Sequence, residues 1–269
     1  MNTPVLFLIY NRPEYTRQVF KAIKKARPEK LFVFADGPKR DKDGDELRCE
    51  EARKIIEEID WSCEVYANFS DENLGCKLGV TKGINWFFEN VEEGIILEDD
   101  CLPTESFFEY CERLLAKYRG NGRIMMISGS NPATVIYDME SDYFFSQFYH
   151  VWGWATWKRA WAKMDINLSN WPNYKKDNLL DKFYQYSQSN RRFSEKMFDE
   201  VYNKKSSVWD IQWSYSCLTN NGLAILPKYN LVSNIGLSGD HSMNTDQLFL
   251  KTKGIDFDTT DITDDIELQ

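Results

Sequence analysis

The sequence predicts an α/β protein built on a doubly wound, mostly parallel sheet, and three observations predict it. Strand-like and helix-like segments alternate from residue 4 to residue 129, the pattern of a chain that crosses back over a helix after each strand. The strand-like segments are continuous apolar runs, such as Val5-Leu6-Phe7-Leu8-Ile9 and Leu31-Phe32-Val33-Phe34-Ala35, which suit strands covered on both faces. Three of these runs end in polar groups: Asn11 and Arg12, then Asp36, then Glu98-Asp99-Asp100. In a parallel sheet such ends share the carboxyl edge, where open α/β sheets bind ligands.

The elements follow in order. After the first strand, Asn11 or Arg12 stands near a helix cap with Pro13 in the first turn, and Val19, Ala22, Ile23 and Ala26 form the helix's apolar stripe. The second strand stops at Asp36-Gly37-Pro38. A charged amphipathic helix spans Asp45 to Ile59, and Cys63 to Phe69 reads as a third strand. Asn73-Leu74-Gly75 opens a helix to about Val91, with Leu78, Ile84, Phe87 and Phe88 available for burial. Gly94-Ile95-Ile96-Leu97 then rises to the acidic triplet, a helix runs from about Thr104 to Tyr118, and residues 123–129 make a fifth strand. The second half is aromatic-rich: Trp152, Trp154, Trp157 and Trp161 fall within ten residues, and helices are expected over about 176–188, 190–204 and 210–220. Trp154, Trp157 and Trp161 lie at helical spacing, which favours a core stripe over a sugar platform. This gives an α/β half over 1–130, a second half over 131–254 within one continuous domain, and an acidic tail over 255–269.

Composition excludes several classes. The net charge is −9, and six acids with no base crowd the last sixteen residues, leaving a mildly acidic body. Non-specific nucleic-acid binding needs a basic footprint, so no nucleic-acid partner is expected. Six cysteines without a CxxC pair read as reduced thiols, and two histidines rule out a His-rich metal centre. No apolar run approaches the roughly 20 residues of a membrane span. Met1-Asn2-Thr3-Pro4 lacks the basic start of a signal peptide. A cytoplasmic location is the expectation, with peripheral attachment to the inner face of a membrane left open.

Three consecutive acids at a strand end repel one another, so a cation is their natural partner; an isolated acidic turn is the competing reading. The chain has no G-x-x-x-x-G-K-[ST], no G-x-G-x-x-G after the first strand and no G-x-S-x-G. A carboxylate triplet on a nucleotide-sized α/β fold suits Mn²⁺ or Mg²⁺ bridging to a diphosphate, because such ions take one or two carboxylates plus phosphate oxygens.

These residues carry a resemblance. Leu8-Ile9-Tyr10-Asn11-Arg12-Pro13, Asp36, Ile96-Leu97-Glu98-Asp99-Asp100-Cys101-Leu102-Pro103 with Phe107-Phe108-Glu109-Tyr110, Val151-Trp152-Gly153-Trp154 and Trp209-Asp210-Ile211-Gln212-Trp213 resemble the GT-A-fold glycosyltransferases. The likeness is greatest to the N-acetylglucosaminyltransferase I-like group of nucleotide-diphospho-sugar transferases, and it covers the chain to about residue 242. The resemblance implies a Rossmann-like GT-A fold with an aromatic-rich acceptor subdomain. It implies Asp100 as direct metal ligand, Glu98 and Asp99 at the ribose or donor sugar, Arg12 and Asp36 at the base and ribose, and Asn11, Trp152 and Gly153 lining the nucleotide-sugar site. Asp210 falls at the position of the catalytic base. The implied reaction is an inverting transfer from UDP-N-acetylglucosamine or another UDP-sugar, with Mn²⁺ as the usual metal. The implied acceptor is a glycan, lipid-linked sugar or glycoprotein in surface glycan assembly.

Each residue also has a plainer role. Asp36 suits a turn, Asp210 a helix cap and Arg12 a solvated surface, while Gly153 suits a close approach of ligand to backbone. A polar loop ending in Ser238-Gly239-Asp240-His241-Ser242 makes His241 a candidate metal ligand, since a C-terminal-loop histidine serves so in several GT-A enzymes. Asp240 is a weaker rival base. Two alternatives stand beside the transferase: a nucleotidyltransferase making an activated sugar, which usually carries a glycine-rich basic loop that Asn11-Arg12-Pro13-Glu14 does not provide, and a non-catalytic carbohydrate-binding protein of the same fold.

Overall fold

The computed structural model describes residues 1–131, 141–185 and 187–238. The first half alternates as the sequence predicts: β1 (Val5–Ile9), α1 (Pro13–Ala26), β2 (Lys30–Ala35), α2 (Asp45–Arg53), β3 (Glu64–Phe69), α3 (Gly75–Asn90), β4 (Glu93–Glu98), a short β5 (Cys101–Pro103), α4 (Glu105–Tyr118) and β6 (Ile124–Ser128). The second half adds β7 (Tyr143–Ser146), β8 (Trp154–Trp157), α5 (Lys158–Trp161), α6 (Trp171–Lys176), α7 (Leu179–Phe183), α8 (Gln188–Tyr202), α9 (Asp210–Thr219), β9 (Leu223–Pro227) and β10 (Val232–Asn234).

Eight strands form one sheet in the order β3-β2-β1-β4-β8-β6-β9-β7. β1 to β4 are mutually parallel where they pair, β8 is antiparallel to both neighbours, β6 is parallel to β9, and β7 is reversed. Only β7 and β8 therefore run against the common direction. Strands from both sides of residue 130 share this sheet. Successive residues of a strand face opposite sides, and β1 shows the consequence. Val5, Phe7 and Ile9 pack with Val19, Phe20, Ile23, Phe107 and Leu114, whereas Leu6 and Leu8 pack with Ile84, Phe87 and Phe88. Helices cover both faces, which is why β1 needs no polar alternation. The result is the Rossmann-like, doubly wound architecture expected.

Three expectations are corrected. Trp154 and Trp157 lie on β8, not on a helix, and β8 wedges between β4 and β6. Residues three apart on a strand face opposite sides, so Trp154 enters the layer of Leu6 and Trp157 the layer of Phe7. Both are core, as expected, by a different geometry. The helix expected over 176–188 breaks after Lys176 and resumes at Leu179, with Asn178 in the left-handed region at φ 51°. Leu78 is 54% exposed. The stripe of α3 runs instead through Ile84, Phe87 and Phe88, whose spacing of three and one keeps them against the sheet. Among the described residues, no helix is long and apolar enough to cross a membrane.

Candidate functional site

Parallel registry brings the polar strand ends to one edge. Ile9 stands opposite Ala35, and Leu8 opposite Glu98, so the turns carrying Asn11 and Arg12, Asp36, and Glu98 to Asp100 emerge side by side. Pro13 sets the first turn of α1, and Arg12 is its N-cap residue. From there the Arg12 guanidinium bridges two acids, donating to Asp99 and, at 2.9 Å, to Asp100 Oδ2. The Tyr10 amide adds a 3.3 Å hydrogen bond to Asp99 Oδ2. Burial and repulsion from Asp100 hold Asp99 up at about 6 despite Arg12. No described residue donates a hydrogen bond to the Glu98 carboxylate. Burial, then the charges of Asp100 and Asp99, push it well above the ordinary carboxylate range, and Arg12 offsets this only in part.

A strap crosses this cluster. β5, directly after the triplet, pairs antiparallel with β10, and the chain leaving β10 donates from Ile235 N to Asp100 O at 2.8 Å. A Cβ on Gly236 would lie 2.4 Å from Asp100 Oδ2 and 2.9 Å from Arg12 Nη1. Glycine is what lets the strap pass so close.

Asp210 reaches the same place from the other half. It opens α9 directly after Trp209, and α9 is seated by a tryptophan cluster. Trp154 lies beside Ile96 of β4, and its ring stands 5.9 Å from Trp209 and 5.6 Å from Trp213. Trp161 completes the cluster at 5.1 Å from Trp213 and donates from Nε1 to Asn85 Oδ1 at 2.7 Å, tying α9's support to α3. Packing on β4 thus places Asp210 within electrostatic reach of Glu98. Burial raises the Asp210 carboxyl above the aspartate range, while the backbone N–H groups of Asp210 and Ile211 pull the other way. Cys76, at the start of α3, is within electrostatic reach of both. The residue is solvent-exposed, and the charges of Glu98, Asp210 and Asp100 raise its thiol while Arg12 opposes them. Arg12, Glu98, Asp100 and Asp210 thus all lie within electrostatic reach of one thiol.

The other sequence-derived candidates have different surroundings. Asp36 accepts from Leu74 N at 2.8 Å, Gly75 N at 3.0 Å, Asn73 Nδ2 at 3.1 Å and Gly37 N at 2.9 Å. Those partners make it the tie between the end of β2 and the start of α3, close to the turn-forming role. Asn11 donates to Asp45 Oδ1 at 2.5 Å. Asp45 is fully buried and also accepts from Tyr10 Oη at 2.5 Å, Lys39 N at 2.9 Å and Arg48 at 3.0 Å. Gly153 has φ 59°, and a Cβ there would meet Val232 Cγ2 at 2.7 Å. Its close approach is therefore to β10. Trp152 is half-buried against the core, and its carbonyl accepts from Ser130 Oγ at 2.8 Å. His241 and Asp240 lie outside the described residues. Sequence reasoning passed over Asp45, Cys76 and the contact made by Gly236. Asp45 had no signal, being one acid in a charged helix; Cys76 directly follows a recognised helix start.

Among the described residues, no group of three or more His, Cys, Asp or Glu side chains converges on a metal position. The donor set fits a divalent ion that takes Asp100 and draws its remaining ligands from phosphate oxygens and water; it does not fit a preformed protein cage.

No family model and no curated protein matches this chain. Among solved structures it is similar to S. aureus TarS 1-349, at 11% identity and a TM-score of 0.47 over 86% of this chain and 59% of that one. It is also similar to HddC from Yersinia pseudotuberculosis, at 9% identity and a TM-score of 0.31 over 46% of this chain and 56% of that one. The chain spans less than two thirds of either.

Proposed function

We propose that the protein is a metal-dependent, inverting glycosyltransferase of the GT-A type, moving a sugar from a UDP-sugar, UDP-N-acetylglucosamine foremost, to an acceptor hydroxyl in surface glycan assembly. The observation that carries this reading is the pairing of two roles. The charge-loaded triplet and Asp210, held on a separate helix by four tryptophans, lie within electrostatic reach of each other. An inverting transfer needs those two functions apart: a clamp for the leaving diphosphate and a base for the attacking hydroxyl. Mn²⁺ or Mg²⁺ held by Asp100 would supply positive charge for the diphosphate. Asp210 takes the proton of the acceptor hydroxyl as its oxygen bonds to the anomeric carbon. The bond from that carbon to the diphosphate breaks, and its electron pair leaves with the phosphate oxygen. A base raised above the ordinary aspartate range by burial is better matched to a hydroxyl than a fully solvated one.

A thermal-shift screen of UDP, GDP, CMP and dTDP sugars, with and without Mn²⁺, tests the reading. Stabilisation by a nucleotide sugar that requires metal, followed by release of nucleoside diphosphate, is the expected result. Release of pyrophosphate from a nucleoside triphosphate would point to the nucleotidyltransferase instead. Binding of glycans alone would leave a carbohydrate-binding protein.

A further inference from the structure

Three adjacent carboxylates share one resident cation. Among the described residues, Arg12 is the only basic side chain paired with the triplet, and its fork spans Asp99 and Asp100. The partners differ in freedom: the Arg12 side chain is 31% exposed, against 4% for Asp99 and 15% for Asp100. The arginine is thus the member that can move, and the ring of Tyr15, 5.8 Å from its Cζ, offers it a second surface. A divalent ion at Asp100 and a guanidinium nitrogen 2.9 Å from the same oxygen repel one another in a half-buried setting where solvent screens little.

We propose that Arg12 is an exchangeable stand-in for the metal. In the unliganded protein it neutralises Asp99 and Asp100. When a divalent cation arrives together with a nucleoside diphosphate, Arg12 gives up Asp100 and turns its fork to the phosphates. A guanidinium matches two phosphate oxygens as well as it matches two carboxylates, so the exchange conserves its hydrogen bonds. Either ligand alone is penalised. Metal without nucleotide must break the Asp100 arm of the ion pair and sit beside a guanidinium still held by Asp99, and nucleotide without metal meets the field of three acids. Binding is therefore mutually dependent. The strap is coupled to the swap, because Ile235 N holds Asp100 O and a Cβ at Gly236 would collide with both members of the pair.

The inference rests on the nucleotide-sugar reading, and calorimetry separates the two. Mn²⁺ alone, UDP alone and UDP with Mn²⁺ are titrated into the wild-type chain, Arg12→Gln and Arg12→Lys, with melting curves on the same samples. For the wild type, we expect Mn²⁺ affinity to rise by roughly tenfold or more when UDP is present. Arg12→Gln leaves its acids uncompensated, so Mn²⁺ alone binds about tenfold tighter, while the gain from UDP falls below about threefold. Arg12→Lys, a point charge able to bridge only one acid, falls between and decides the matter if Arg12→Gln does not fold. Unchanged or weaker Mn²⁺ binding in the folded Arg12→Gln, or a wild type whose metal affinity ignores UDP, overturns the exchange and leaves the nucleotide reading standing. A wild type that binds no nucleoside diphosphate under any condition overturns both.

Discussion

Two sets of buried and half-buried acids lie near Tyr10 at the carboxyl edge of this sheet, and they are treated in opposite ways. Asp45 is fully buried, yet it accepts from Tyr10, Asn11, Lys39 N and Arg48. Burial opposes its charge, but those hydrogen bonds outweigh it and hold the carboxyl well below the usual range. Among the described residues, Glu98 to Asp100 are three acids served by Arg12, the Tyr10 amide and a long 3.5 Å contact from the Cys101 thiol. Burial and mutual repulsion hold Glu98 and Asp99 above the usual range. A carboxylate placed only to join elements is given every donor it can take. A cluster left under-neutralised stores a demand for positive charge that a ligand can meet. Asp210 belongs with the second set, since its own helix start supplies backbone N–H groups and, among the described residues, no basic side chain pairs with it.

The largest expected effect follows from that grouping. Asp210→Asn keeps the shape and removes the proposed base, so turnover should fall by about 10³-fold while UDP and Mn²⁺ affinities stay within about twofold. Steady-state kinetics beside calorimetry checks this, and unchanged turnover would move the base elsewhere. The base must be ionised, so kcat/KM in the wild type rises with pH through an inflection above the ordinary aspartate value of about 4.

Asp45→Asn probes the other set. It deletes the charge that Tyr10, Asn11 and Arg48 converge on, and a loss of about 3 kcal/mol in urea unfolding is expected. Because its folded value is depressed, the stability it contributes is present above its unfolded value of about 4 and disappears as pH falls further. The difference between wild type and Asp45→Asn should accordingly shrink in acid. A loss that stays constant with pH would show that packing, and not charge, carries the contribution.

How much of this was legible in the sequence follows the physics of each element. β1, β2 and β4 could be read because strands covered on both faces are apolar throughout, and parallel registry alone then brings Arg12 and Glu98 to Asp100 together. β8 could not be read. A four-residue strand with tryptophan at both ends has the same spacing as a helical stripe, and only the competition between two core layers decides. Asp210 was found between Trp209 and Trp213, but the reason those tryptophans matter, their stack on Trp154 beside β4, is a long-range contact. Asp45 and Asp36 show the limit most plainly. Asp45 opens α2 and Asp36 closes β2, and nothing in local sequence tells an acid that collects backbone and side-chain donors from one that awaits a ligand.

The smallest expected effect is also the sharpest test of the contrast. Glu98→Gln removes the acid that the cluster tolerates least. A carboxyl whose folded value is raised binds its proton more tightly in the folded chain, so its presence costs nothing below the unfolded value and costs most above the folded one. Glu98→Gln should therefore leave melting unchanged near pH 4 and stabilise the metal-free protein by about 1 kcal/mol at pH 8 and above, the reverse of the acid dependence at Asp45. Saturating Mn²⁺ with UDP should narrow or invert that gain, because the wild-type cluster then has the positive charge it lacks. If Glu98→Gln destabilises at high pH without ligand, the triplet is already neutralised within the fold, and its resemblance to Asp45 is closer than its position suggests.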